Sequence, residues 1–219
     1  MYRRYAIYVI PDQEWGDFGA AWLGWDTRAG STVPLIEPAL SGITERPRKY
    51  GFHGTIKAPF HLAKGQDQAA LVKATFALAH DMRAFSLYSL QVSQIGSFFA
   101  LTAPEEHAQL RSVADRAVTG LDMFRAPLTA TDLQRRRVSR LTQQQDANLE
   151  KWGYPYVFDD FKFHLTLTGP VKDAGQVKPR LVAALQSPLS KPLSVRDICV
   201  CGEAEDGRFY VVERCAFGA

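Results

Sequence analysis

One tetrapeptide, Phe-His-x-Thr, occurs twice in this chain, as Phe52-His53-Gly54-Thr55 and as Phe163-His164-Leu165-Thr166. At this composition even one copy is expected in only about two chains in a hundred. The histidines are 111 residues apart (164 − 53), and at that offset Ile56 matches Leu167, Pro59 matches Pro170, Gly96 matches Gly207, Phe98 matches Phe209 and Phe99 matches Tyr210. Leu71-Val72 matches Leu181-Val182 one residue out of register. A constant offset over about 45 residues reads as duplicated structural units, and two copies make a two-lobed domain rather than a solenoid. The competing explanation is two unrelated strands that each carry a histidine.

Hydrophobic periodicity and turn residues divide the rest of the chain. Residues 5–10 read as a strand stopped by Pro11, and residues 12–25 as a helix with Asp12 as a candidate N-cap. Residues 26–47 hold Gly, Ser, Thr and three prolines and read as a long loop. Residues 50–60 carry the first motif on a strand, 66–82 form an amphipathic helix, and 85–93 and 98–102 are strands turned at Gly96. A helix over 104–123, with Pro104 near its first turn, closes the first half. Residues 128–152 are helix-rich and polar and end at Gly153-Tyr154-Pro155-Tyr156. The second motif lies in 161–169, followed by a helix over 177–186 and strands at 195–201 and 208–215 turned at Asp206-Gly207.

Each half thus reads as motif strand, helix, hairpin. The expected fold class is α+β: a bilobal duplicated fold, two antiparallel sheets flanking a central cleft, helices outside. The whole chain, 1–219, is expected to be one such domain. Its first lobe spans roughly 12–123, its linking helical segment roughly 124–160, and its second lobe roughly 161–219 together with the N-terminal strand.

Alternate strand side chains share a face. His53, Thr55 and Lys57 therefore point one way, and so do His164, Thr166 and Thr168. Two histidines on opposite sides of one phosphorus can deprotonate an attacking oxygen and protonate a leaving one near neutral pH. Thr55 and Thr166 can donate to non-bridging oxygens, and Lys57 can offset growing negative charge. Thr168, Tyr154 and Tyr156 are further candidates for touching substrate, although the aromatic end of the linking segment could equally pack its lobe. His61, His80 and His107 have no matching partners and read as structural.

A metal is not required by this logic. Two histidines without a nearby carboxylate or thiol in either motif make a poor zinc set, although Asp159 and Asp160 just before the second motif leave a histidine–carboxylate site open. Cys199, Cys201 and Cys215 are an odd set, and with no apparent signal peptide they favour reduced thiols in the cytoplasm. No apolar run approaches the roughly 20 residues of a membrane span. The net charge of +3 permits anionic substrates without favouring a nucleic-acid partner. Arg135, Arg136, Arg137 and Arg140 read as a solvated surface, although they could hold a strand backbone.

His53-Gly54-Thr55-Ile56 and His164-Leu165-Thr166-Leu167 resemble the paired His-x-Thr/Ser-x motifs of the 2H phosphoesterase superfamily, across essentially the whole chain. Residues 50–60, Trp152-Gly153-Tyr154-Pro155-Tyr156 and Ala20-Ala21-Trp22-Leu23-Gly24 are similar to a bacterial branch associated with phosphonate metabolism and carbon–phosphorus lyase genes. The resemblance implies a bilobal fold with pseudo-twofold symmetry and cofactor-free, metal-independent cleavage of a phosphodiester, often cyclic. The expected substrate is a small phosphorylated molecule, such as a ribose cyclic phosphate. An RNA-end 2′,3′-cyclic phosphodiesterase or ligase, and a non-catalytic phosphate-ligand binder, remain alternatives. No membrane partner is expected, and a monomer is plausible.

Overall fold

The computed structural model describes residues 2–103, 107–138 and 140–218. Strand β1 (Arg4–Val9) leads into helix α1 (Gln13–Leu23), a small hairpin of β2 (Trp25–Asp26) and β3 (Ser31–Thr32), and helix α2 (Ser41–Arg48). Then come β4 (Gly54–Phe60), α3 (Gln68–His80), β5 (Phe85–Leu87), β6 (Gln91–Ile95), β7 (Phe98–Thr102) and α4 (Ala108–Gly120). The connecting segment forms α5 (Ala130–Arg137) and α6 (Gln143–Trp152). The second motif sits on β8 (His164–Thr166), followed by α7 (Ala174–Ala184), α8 (Gln186–Leu189), β9 (Leu193–Val195), β10 (Asp197–Glu203) and β11 (Phe209–Ala216).

Seven strands form one sheet in the order β11-β10-β1-β4-β8-β7-β6, every neighbour antiparallel. The fold is α+β with antiparallel sheets, as the motif pattern implied. Its two halves join edge to edge at a single residue pair, Gly54 with Leu165. Chain order suggests that each motif strand pairs with the hairpin that follows it. The sheet exchanges them: β4 lies beside β1 and the closing hairpin β10–β11, and β8 lies beside β7 and β6. Helices cross over accordingly, with α3 packed on β10 and β11 and α7 against β6. One core results, in which Leu71 of α3, Ile198 and Val200 of β10, Leu101 of β7 and Leu181 of α7 are all buried. Each such side chain removed from water contributes roughly 1.5–3 kcal/mol before entropy is counted.

Strand alternation sets the faces. Tyr5, Ile7 and Val9 of β1 enter the large core, while Ala6 and Tyr8 join Ile10, Cys199, Cys201 and Phe209 in a smaller cluster on the other face. All three cysteines are buried and unpaired. Among the described residues no helix is long and apolar enough to cross a membrane.

Several boundaries differ from the sequence reading. The supposed loop 26–47 holds the β2–β3 hairpin and most of α2, anchored where Arg48 Nε donates to the Leu23 carbonyl at 2.6 Å and Arg48 Nη2 to Thr44 at 2.9 Å. The single strand read over 85–93 breaks at Ser89, whose φ is 58°, so that β5 turns aside to pair with β9. Asp12 occupies the N-cap position of α1, but its carboxylate accepts from Arg214 at 2.7 Å instead of capping. The helix read over 104–123 is α4, and its expected start at Pro104 lies outside the described residues. In the connecting segment two capping boxes, Thr129 with Asp132 and Thr142 with Gln145, start α5 and α6.

Candidate active site

The two motifs meet where the sheet halves join. An antiparallel pair at Gly54 and Leu165 sets His53 beside Thr166 and Thr55 beside His164. All four lie on the face opposite Gly54 and Leu165, and they are half-buried while Gly54, Ile56, Phe163, Leu165 and Leu167 are buried. Glycine is needed at position 54, because a Cβ there would sit 2.1 Å from the ring of Phe163.

The histidines are held alike. Nδ1 of His53 lies 2.9 Å from the Gly51 carbonyl, and Nδ1 of His164 lies 2.8 Å from the Lys162 carbonyl, each two residues back. A carbonyl only accepts, so each Nδ1 carries the proton and each Nε2 is left for chemistry. In neutral His53, Nε2 accepts from the Thr55 hydroxyl at 3.2 Å. The His53 ring rests on Tyr8, centroids 3.9 Å apart, with Tyr50 at 6.1 Å, and His164 has Phe98 at 6.1 Å. Desolvation pushes His53 down to about 4; the Gly51 carbonyl opposes the shift and the nearby charge of His164 adds to it. That mutual influence places the two rings in one electrostatic neighbourhood. Tyr8 and Tyr50 carried no signal in the sequence beyond their strand alternation.

Lys57 is not in the cleft. Along β4 the pairing with β1 shifts register between Tyr8–Thr55 and Ile7–Lys57, a bulge that turns Lys57 to the core face. There its Nζ donates to the Val118 carbonyl at 2.9 Å and lies 3.5 Å from Asp122. Burial lowers it to about 8 against the opposing pull of Asp122. Thr168 is likewise buried. The amides of Leu167 and Thr168 both donate to the Phe99 carbonyl, which breaks the alternation, and Thr168 Oγ1 accepts from the Phe99 amide at 2.9 Å.

Asp159 pairs with Arg111, and Asp160 accepts from Gln145 at 2.7 Å. Among the described residues no group of three or more His, Cys, Asp or Glu side chains is placed to hold a metal ion. Tyr154 and Tyr156 pack edge to face at 5.5 Å, with Tyr156 exposed and Tyr154 on the wall of a cavity of about 330 Å³. That cavity lies around the end of β4 and the start of β1 and includes Arg4, Arg136 and Trp152, but neither histidine.

Over the full length of both chains the fold matches crystal structures of E. coli LigT, at 13% identity and a TM-score of 0.52 for the complex with 3′-AMP and 0.50 for the complex with phosphate. The chain is 36% identical over 179 residues to a protein of Janthinobacterium sp. (strain Marseille) and 31% identical over 175 residues to one of Laribacter hongkongensis (strain HLHK9), both named ribose 1,5-bisphosphate phosphokinase PhnN. Each match takes in 78% of this chain and about 40% of the relative's length. Residues 55–210, which begin at Thr55 just after His53 and take in the whole second motif, match the family described as Protein of unknown function (DUF1045). With a fold similar to that of LigT, the chain belongs to the DUF1045 family.

Proposed function

We propose that the chain is a phosphodiesterase that opens a small cyclic phosphate by two-histidine acid–base catalysis without a metal. The observation that carries this reading is the pair of Nδ1–carbonyl anchors, which aim two Nε2 atoms at one face from adjacent strands. His53, held neutral by burial, is the base. Its Nε2 takes a proton from water as the water oxygen attacks phosphorus. The bond to the leaving sugar oxygen breaks, and Nε2–H of His164 gives that oxygen its proton. Thr55 and Thr166 donate to the non-bridging oxygens, the Thr55 hydroxyl turning from His53 to do so.

The PhnN name of the relatives supports a ribose phosphate as the substrate class. Their kinase activity is not carried over, since this chain contains no Gly-x₄-Gly-Lys-Ser/Thr phosphate loop. We place the enzyme in the cytoplasm, on its three free thiols. Incubation with a panel of 1,2- and 2′,3′-cyclic phosphates, followed by phosphorus NMR with and without EDTA, tests the reading. Ring opening that survives the chelator is expected. Activity lost to EDTA and restored by one divalent ion would make His53 and His164 ligands. Binding without turnover across the pH range would leave a phosphate-binding protein.

A further inference from the structure

The cavity at the end of β4 carries an excess of basic side chains. Its lining includes Arg4, Lys57, Arg125, Arg135 and Arg136 against one carboxylate, Asp132. Most of these charges are already satisfied. Arg4 forks onto Glu203 at 2.6 and 2.8 Å, and Arg125 donates to Asp122 at 2.8 and 3.2 Å. Arg135 takes Asp132 at 2.8 Å, and Asp132 also accepts from the Thr129 hydroxyl at 2.7 Å. Lys57 donates to the Val118 carbonyl.

Arg136 stands apart. It is half-buried, and among the described residues its guanidinium has neither a carboxylate nor a hydrogen-bond acceptor. The charges that face it are Arg135 and Arg4, with the Asp132 carboxylate opposing them. The Tyr154 hydroxyl also lacks a hydrogen-bond partner among the described residues. A partly desolvated cation without a carboxylate of its own gains from a negative ligand. Guanidinium forks and a phenol O–H suit phosphoryl oxygens.

Part of the cavity wall shares a sheet face with the histidines. Arg4, Ala6 and Tyr8 alternate along β1, and Tyr8 carries the His53 ring. Four residues of strand span about 13 Å at about 3.3 Å each.

We propose that this cavity is a second phosphoryl-anion subsite, centred on Arg136, which holds a phosphoryl group of the substrate remote from the one the histidines cleave. The substrate is then longer than a bare sugar cyclic phosphate. This rests on the reading of His53 and His164 as one phosphate site, and the test separates the two.

Two arms suffice. In the first, kcat/KM is measured for adenosine 2′,3′-cyclic phosphate, its 5′-phosphate, and 5′-phosphorylated di- and trinucleotides ending in the same cyclic phosphate. The expected result is a rise of about tenfold at one of these lengths, lost in Arg136→Ala and partly kept in Arg136→Lys. A flat series, or an equal loss on every member in Arg136→Ala, overturns the substrate assignment. In the second, inorganic phosphate is titrated calorimetrically into a His53→Ala/His164→Ala variant. A site that vanishes on adding Arg136→Ala supports the subsite even if no cyclic phosphate is opened, in which case the catalytic reading alone falls. A flat series with an Arg136-dependent phosphate site means a free anion in place of a substrate arm. No such site and no rise overturn the proposal.

Discussion

His53 and His164 have the same anchor and different surroundings, and in the proposed mechanism the difference selects the base. The folded value of about 4 for His53 lies below the ordinary 6.5 because its ring is desolvated. The base form is therefore complete well below neutrality. kcat/KM should fall on the acid side with a midpoint near 4, and that limb should disappear in His53→Ala along with about 10²–10⁴-fold of the rate. An acid limb at 6 to 7 that persists in His53→Ala would assign the base elsewhere. The same shift affects stability. Between about 4 and 6.5 the unfolded chain binds a proton that the folded chain refuses, so stability rises with pH across that window and is fully present above it. His53→Gln should flatten the rise, as read by Tm at pH 4.5 and 7. Lys57 makes the opposite case to the one its position in the sequence implied. Lys57→Met should leave KM for a cyclic phosphate without a second phosphoryl group within about twofold, since the side chain faces away from the histidines. Wild-type Lys57 is depressed to about 8 from 10.5 when folded. Denaturant melts should therefore show stability rising between those values in the wild type and level in the variant.

At the scale of elements, the motif strands were legible because a period of two needs only a regular strand. His53, Thr55, His164 and Thr166 obey it. Lys57 and Thr168 fall one repeat further on, beyond a bulge in one strand and a shared carbonyl in the other. Both irregularities arise from pairing with β1 and β7, strands remote in the chain, so local pattern could not show them. The capping boxes of α5 and α6 rest on neighbours within three residues, yet the polar run around them masked where each helix began. Arg136 belongs to a basic run that reads as solvated surface, and only the fold shows that it lines a cavity without a carboxylate partner among the described residues. Gly54 belongs to this scale too. Gly54→Ala would drive a methyl into Phe163 and should cost about 1–3 kcal/mol in a urea melt. Activity should fall as the two motif strands are pushed apart. A second change, Phe163→Leu, should restore part of both, whereas an unaffected Gly54→Ala variant would show that the ring moves aside freely.

Across the whole molecule, the constant offset suggests duplication, and it carries no sign of the exchange of hairpins. Offset says that two units are alike; it does not say which strand edge each hairpin finds. The exchange ties the halves together through helices and core while leaving their direct seam slight. One residue pair joins β4 to β8, where seven join β10 to β11. The seam is laid out like the spine of a bound book, broad boards on either side of a narrow strip that carries the two histidines, and so slight a joint is expected to flex. Backbone amides report such flexing. In deuterated water the amides of Gly54 and Leu165 should exchange ahead of those at Val200 and Cys201, and a bound phosphate should slow the first pair while leaving the second unchanged.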